Sequence, residues 1–135
     1  MSYQHTIFLN LPVANLQASI EFYTAIGFVQ NKKFSSDTDV MMSLPPVGAT
    51  QPQAHEGPIK LMLLSHSSYK SFLPPNIDIA NPKKVAQCLI CLSRPSKEAV
   101  DEMCEKGAET GGKKDIREKT EVEKQMDQVG MYWRV

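Results

Sequence analysis

The stretch IFLNLPVANLQASIEFYTAIGF, Ile7 to Phe28, holds a strand, a tight connection and a helix within 22 residues. Ile7, Leu9 and Leu11 alternate with Phe8 and Asn10, the period-two pattern of a strand with two different faces. Pro12 withholds a backbone donor and suits the end of that strand. Asn15 is a good helix N-cap, because its side-chain oxygen accepts an amide of the first turn that has no helical partner. Leu16, Ile20 and Tyr23 then fall at helical spacing and make one apolar stripe. Gly27 supplies the left-handed residue that stops the helix.

Working outward, FVQNKKFS and VMMSLP read as two short strands joined through the polar SSDTD. Pro45 to Pro58 has four prolines, two glycines and no periodicity, which predicts a mobile surface loop. IKLMLLS, Ile59 to Ser65, is a strong apolar strand, and SSYKSFLPPN is a short helical turn broken by Pro74 and Pro75. The pattern then restarts. VAQCLICLS, Val85 to Ser93, reads as a strand, and Ser93 or Ser96 can cap a helix with Ala99, Val100, Met103 and Cys104 on one stripe. Gly111 and Gly112 close that helix region. KKDIREK is a candidate strand, TEVEKQMDQ is charged and ambiguous, and VGMYWRV ends the chain as a strand. Strand, connection, helix and glycine thus occur twice, about 80 residues apart, a spacing that suits a duplicated half-domain rather than a solenoid.

The bulk numbers fit one domain over residues 1–135. Fifteen basic residues balance 15 acidic ones, so no net field draws in nucleic acid or an anionic membrane. No apolar run approaches the ~18 residues of a membrane span. The N-terminus lacks a basic segment leading an apolar one, so no secretory signal is expected. Three cysteines at irregular spacing argue against a disulfide framework and for a reduced, cytoplasmic setting.

LPVANLQASIEFYTAIGF resembles the first helix region of the vicinal oxygen chelate superfamily, which includes glyoxalase I, bleomycin-resistance proteins and extradiol dioxygenases. CLICLSRPSKEAVDEMCEKGAETGG resembles the start of that superfamily's second module, and the similarity is closest to a glyoxalase-like subgroup. It runs from about residue 5 to 118 and returns at Gly130 to Tyr132. The resemblance implies an α+β fold of two βαβββ modules, about 5–66 and 84–135, whose sheet curls around a shared cavity. It also implies a homodimer. In metal-using relatives about four His, Glu or Gln side chains hold an ion that polarises vicinal oxygens of the substrate.

The matching positions here carry other chemistry. The first ligand position of the family falls on Phe8, and His5 lies three residues earlier, on the opposite strand face. The second falls on Met62, a poor partner for hard ions. The third falls on Cys88 or Leu89. The fourth, normally a glutamate on the last strand, has no counterpart. After Met131 and Tyr132 the chain reads Trp133, Arg134, Val135, so the final strand is absent, or shortened with Arg134 at the glutamate position. No metal is therefore expected. The expected pocket is Phe8, Asn10, Met62 and Cys88, with Met131 and Tyr132 near its end, soft groups suited to an apolar or aromatic small molecule.

Other constellations read as structural. Cys88 and Cys91 spell C-x-x-C, but strand residues three apart point to opposite faces with alpha carbons roughly 10 Å apart. Cys104 lies on the helix stripe and reads as a small buried hydrophobe. His55 and His66 have no partner at chelating spacing. Asp101, Glu102 and Glu105 read as a solvated helix face, and GGKKD lacks the spacing of a phosphate loop. The expectation is a glyoxalase-like binder of a small molecule without a metal. Its alternatives are a lyase or dioxygenase using nickel, zinc, iron or manganese, and a truncated paralogue whose surviving property is self-association.

Overall fold

The computed structural model describes residues 3–50 and 53–135. The chain divides into two compact units, Met1–Leu89 and Ile90–Val135.

In the first unit the elements come in the order β1 (Ile7–Val13), α1 (Leu16–Ala25), β2 (Val29–Ser35), β3 (Asp39–Leu44), β4 (Ile59–Ser65) and α2 (His66–Lys70). One sheet holds all four strands in the order β1-β4-β3-β2. β1 and β4 are parallel, whereas β3 runs antiparallel to both β4 and β2. A parallel pair requires a long crossover, and α1 with β2 and β3 supplies it. Asn15 caps α1, its side chain accepting from the Ala18 amide at 3.0 Å. Gly27, at φ +111°, turns the chain so that Phe28 is buried against Tyr23, edge to face at 5.6 Å.

The register divides the sheet into two faces. Leu61 and Leu63 of β4 pair with Met42 and Val40 of β3, and all four are 0–2% exposed. They form the centre of the core, each worth about 1.5–3 kcal/mol in water-excluded area. On the other face Asn10, Met62, Met41 and Asn31 lie on one rung across all four strands. The Pro45–Pro58 loop, expected to be mobile and at the surface, is partly packed. Ala54 and Gly57 are buried, and a Cβ on Gly57 would stand 2.0 Å from the Leu44 carbonyl oxygen. Residues 51 and 52 of that loop lie outside the described residues.

The second unit contains α3 (Lys97–Glu109) and α4 (Glu121–Gln128). Ser96 caps α3 through the Ala99 amide at 3.1 Å, and the ambiguous TEVEKQMDQ is a helix opened by a Thr120–Glu123 capping box. Three expected strands are corrected. Within the described residues, 85–93, 113–119 and 129–135 contain no strand. A strand exists only where a neighbour shares its ladder of hydrogen bonds. The two C-terminal segments share one backbone bond, Asp115 to the Val135 carbonyl at 2.6 Å, and do not continue it. Among the described residues the architecture is α+β, with one four-stranded sheet and four α-helices. Among the described residues no helix is long and apolar enough to cross a membrane.

Candidate functional site

Three of the expected pocket residues share one face of the sheet. Asn10 is in register with Met62, and Phe8 lies two residues before Asn10 on the same strand, hence on the same side. Phe8 is 50% exposed, Asn10 is exposed and Met62 is half-buried. Between and beside them the rungs add Met41, Asn31 and, beside Phe8, Lys60 with Ser43. A strip of phenyl, thioether and amide groups is therefore presented in a single layer. Met41 and Asn31 were missed from sequence, yet both follow once β3 and β2 are aligned with β4.

Lys60 borders this strip. The side chain is only 8% exposed, its Nζ donating to the Ser43 hydroxyl at 3.0 Å and to the His55 carbonyl oxygen of the loop. No carboxylate among the described residues pairs with it, and burial pushes its pKa below the usual lysine value. It anchors the loop to the sheet at one end of the strip.

Of the remaining expected pocket residues, Cys88 is exposed outside any helix or strand, close enough to Tyr23 for a thiolate charge to add to burial in raising the Tyr23 pKa. Cys91 is exposed and free, so the pair makes no disulfide. Met131 and Tyr132 belong to the second unit, where Met131 is 55% exposed. His5 meets Tyr3 edge to face at 5.2 Å, and His66 is the exposed first residue of α2 rather than the end of β4. The carbon and sulfur of Phe8 and Met62 do not fit a hard divalent ion. Among the described residues no three His, Cys, Asp or Glu side chains are grouped to hold a metal.

The second unit is organised by charge. Asp101 and Glu105, read from sequence as a solvated helix face, instead receive the C-terminus. Arg134 pairs with Asp101 at 3.2 Å, with Glu105 at 3.3 Å and with Asp115. Tyr132 donates its hydroxyl to Asp101 at 2.6 Å, a bond that with burial pushes its pKa up to about 12. The ammonium groups of Lys97 and Lys119 stand 4.8 and 4.3 Å from the Tyr132 ring centre. Glu123 accepts from Arg117 through both oxygens, from the Thr120 amide and from the indole of Trp133. Those donors, Arg117 foremost, hold its carboxyl far below the usual range.

Depressions among the described residues include one in each unit. One of about 400 Å³ is lined by His66, Ser67, Lys70, Asp78 and Ile79. The other, of about 300 Å³, lies in the second unit and is lined in part by Arg94, Lys97, Asp127 and Tyr132.

No family profile and no curated protein matches the chain. Among solved structures it is similar to that of a hypothetical protein from S. aureus. The two are 22% identical with a TM-score of 0.59, over 88% of this chain and 78% of that one. That likeness supports a mixed α+β fold and carries nothing about activity.

Proposed function

We propose that this chain is a glyoxalase-like protein of the vicinal oxygen chelate type, cytoplasmic, that binds a small apolar or aromatic molecule on the Phe8 strip without a metal. The observation that carries the reading is the register of β1, β4 and β3. It sets Phe8, Asn10, Met62 and Met41 side by side on one partly open face. Aromatic and thioether groups adapt to varied apolar shapes, and the Asn10 amide fixes orientation through one polar contact. In this reading β1, α1, β2, β3 and β4 correspond to one βαβββ module, and the second unit keeps the helix of the other module with no strand among its described residues.

The test is titration with the neutral fluorophore N-phenyl-1-naphthylamine, using protein purified without chelators. Binding at micromolar affinity, weakened about tenfold (~1.4 kcal/mol) in Met62→Glu, is the expected result. Stoichiometric side-chain-bound metal, or probe binding indifferent to Met62→Glu, sinks it.

A second reading, self-association with another copy of this chain, is favoured by the segment before α3. Val85 and Leu89 are 52% and 90% exposed in backbone that lies in no ladder. Backbone donors and acceptors outside any ladder, flanked by exposed apolar side chains, can pair with the same segment of a second copy. Sedimentation equilibrium is expected to show a dimer that Leu89→Lys converts to monomer. A wild-type monomer at millimolar concentration overturns the reading.

A further inference from the structure

The geometry points to a second ligand site, independent of the Phe8 strip: the depression of about 300 Å³ at the start of α3 takes the phosphate group of a small phosphorylated molecule, held by the Arg94 guanidinium and the Lys97 ammonium.

Arg94 carries the inference. Its Nε is buried without a hydrogen-bond partner, and among the described residues the guanidinium makes no hydrogen bond or ion pair at any nitrogen. The contrast with the rest of this unit is sharp. Arg117 reaches both carboxylate oxygens of Glu123, and Arg134 pairs with Asp101, Glu105 and Asp115. A buried donor without a partner costs about 1–3 kcal/mol, a cost that an acceptor oxygen bound at the Arg94 Nε would relieve. Guanidinium presents a planar fork of donors that matches the oxygens of a phosphate two at a time.

The neighbours settle which anion fits. Lys97 lines the same depression and makes no ion pair, its ammonium resting over the Tyr132 ring. The acidic groups nearby have other partners. Asp127 lines the depression but is bound by Lys119 at 2.6 Å, Glu102, close enough to feel Arg94, is bound by Lys106 at 2.7 Å, and Asp101, close enough to feel Lys97, accepts from Tyr132 and Arg134. Arg94 and Lys97 are thus the cations of this depression without an ion pair among the described residues. A phosphate monoester carries about −1.5 to −2 charges near neutral pH and uses both, whereas a carboxylate uses one. The volume sits at the small end of ligand sites, room for a phosphate and a compact body against Val100 and Tyr132.

Phenyl phosphate and benzoate, titrated calorimetrically into the intact chain, test the assignment. Phenyl phosphate is expected to bind at least about tenfold more tightly than benzoate (~1.4 kcal/mol). Arg94→Met is expected to abolish that binding, and Arg94→Lys to weaken it by about tenfold, keeping the charge while losing the fork. Lys124→Met, a change at an exposed pair with Glu121, leaves it intact. Trp133 emission verifies folding of each variant, and Arg94→Lys retains the test if Arg94→Met does not fold. Equal affinity for benzoate overturns the phosphate assignment. No binding of phenyl phosphate at millimolar concentration, or binding undiminished by the Arg94 substitutions, overturns the site.

Discussion

The two units are stabilised by opposite means. In Met1–Leu89 the buried hydrophobic residues, Phe28 to Leu64, meet across one sheet. In Ile90–Val135 the described residues include no buried hydrophobic side chain, and the buried side chain there is Glu123. Eight ion-pair contacts take the place of a core, whereas the first unit has Lys70–Asp78. The difference follows from composition. IKLMLLS and VMMSLP offer an apolar row to bury, whereas KKDIREKTEVEKQMDQ offers alternating charge. What a segment cannot bury it must pair, and pairing responds to pH and salt where burial does not.

That contrast can be broken from either side. The largest effect is expected for Leu63→Ala, which leaves a hole in a fully buried position and costs about 2–5 kcal/mol. Denaturation followed by the far-ultraviolet strand signal checks it. Unchanged stability would mean that the sheet is not the core of its unit.

Next is Glu123→Ala, which removes the acceptor shared by Arg117, Thr120 and Trp133. The chain has one tryptophan, Trp133, so its emission reports on the second unit alone. A red shift with strand signal retained is the expected pattern.

Acid should sharpen the same division. Glu123, Asp101, Glu105 and Asp115 are held below their ordinary values, chiefly by hydrogen bonds from Arg117, Tyr132, Lys114 and Arg134 respectively. A depressed carboxyl contributes stability that is complete above its unfolded pKa and lost as pH falls through the folded one. The Trp133 signal should therefore begin to change below about 4.5, the ordinary glutamate value, before the strand signal does. Coincident transitions would refute separate supports. The smallest effect is Lys70→Ala. The pair with Asp78 spans 3.0 Å with side chains 54% and 88% exposed, so the loss is about 0–1 kcal/mol by thermal melting.

How much was legible in the sequence follows the same line. From Ile7 to Ser65 apolar period, cap and glycine agree, and α1 with its Asn15 cap and Gly27 stop is where the residues place it. Phe8, Asn10 and Met62 were assignable to one face because strand alternation is strict. From Cys88 to Leu92 the apolar run CLICL has strand composition but no ladder partner among the described residues, and composition cannot supply one. Tyr132 was read as lining a pocket with Phe8. Its hydroxyl is committed to Asp101, a pairing 31 positions apart that no local pattern encodes. Arg94 carried no motif at all; only its lack of partners in three dimensions marks it.

The contact between Gly57 and the Leu44 carbonyl has a consequence for how this chain tolerates change. The tip of the hairpin, around Val47 and Gly48, is exposed and constrained only by the φ of +78° at Gly48, whereas position 57 accepts no side chain without the strand connection springing outward. Because His55 lies two residues away, such a displacement would withdraw the carbonyl that holds the Lys60 ammonium. One added methyl group would thus leave the Lys60 ammonium beside Phe8 with Ser43 alone as its partner, giving a handle for covalent labelling of that face by design.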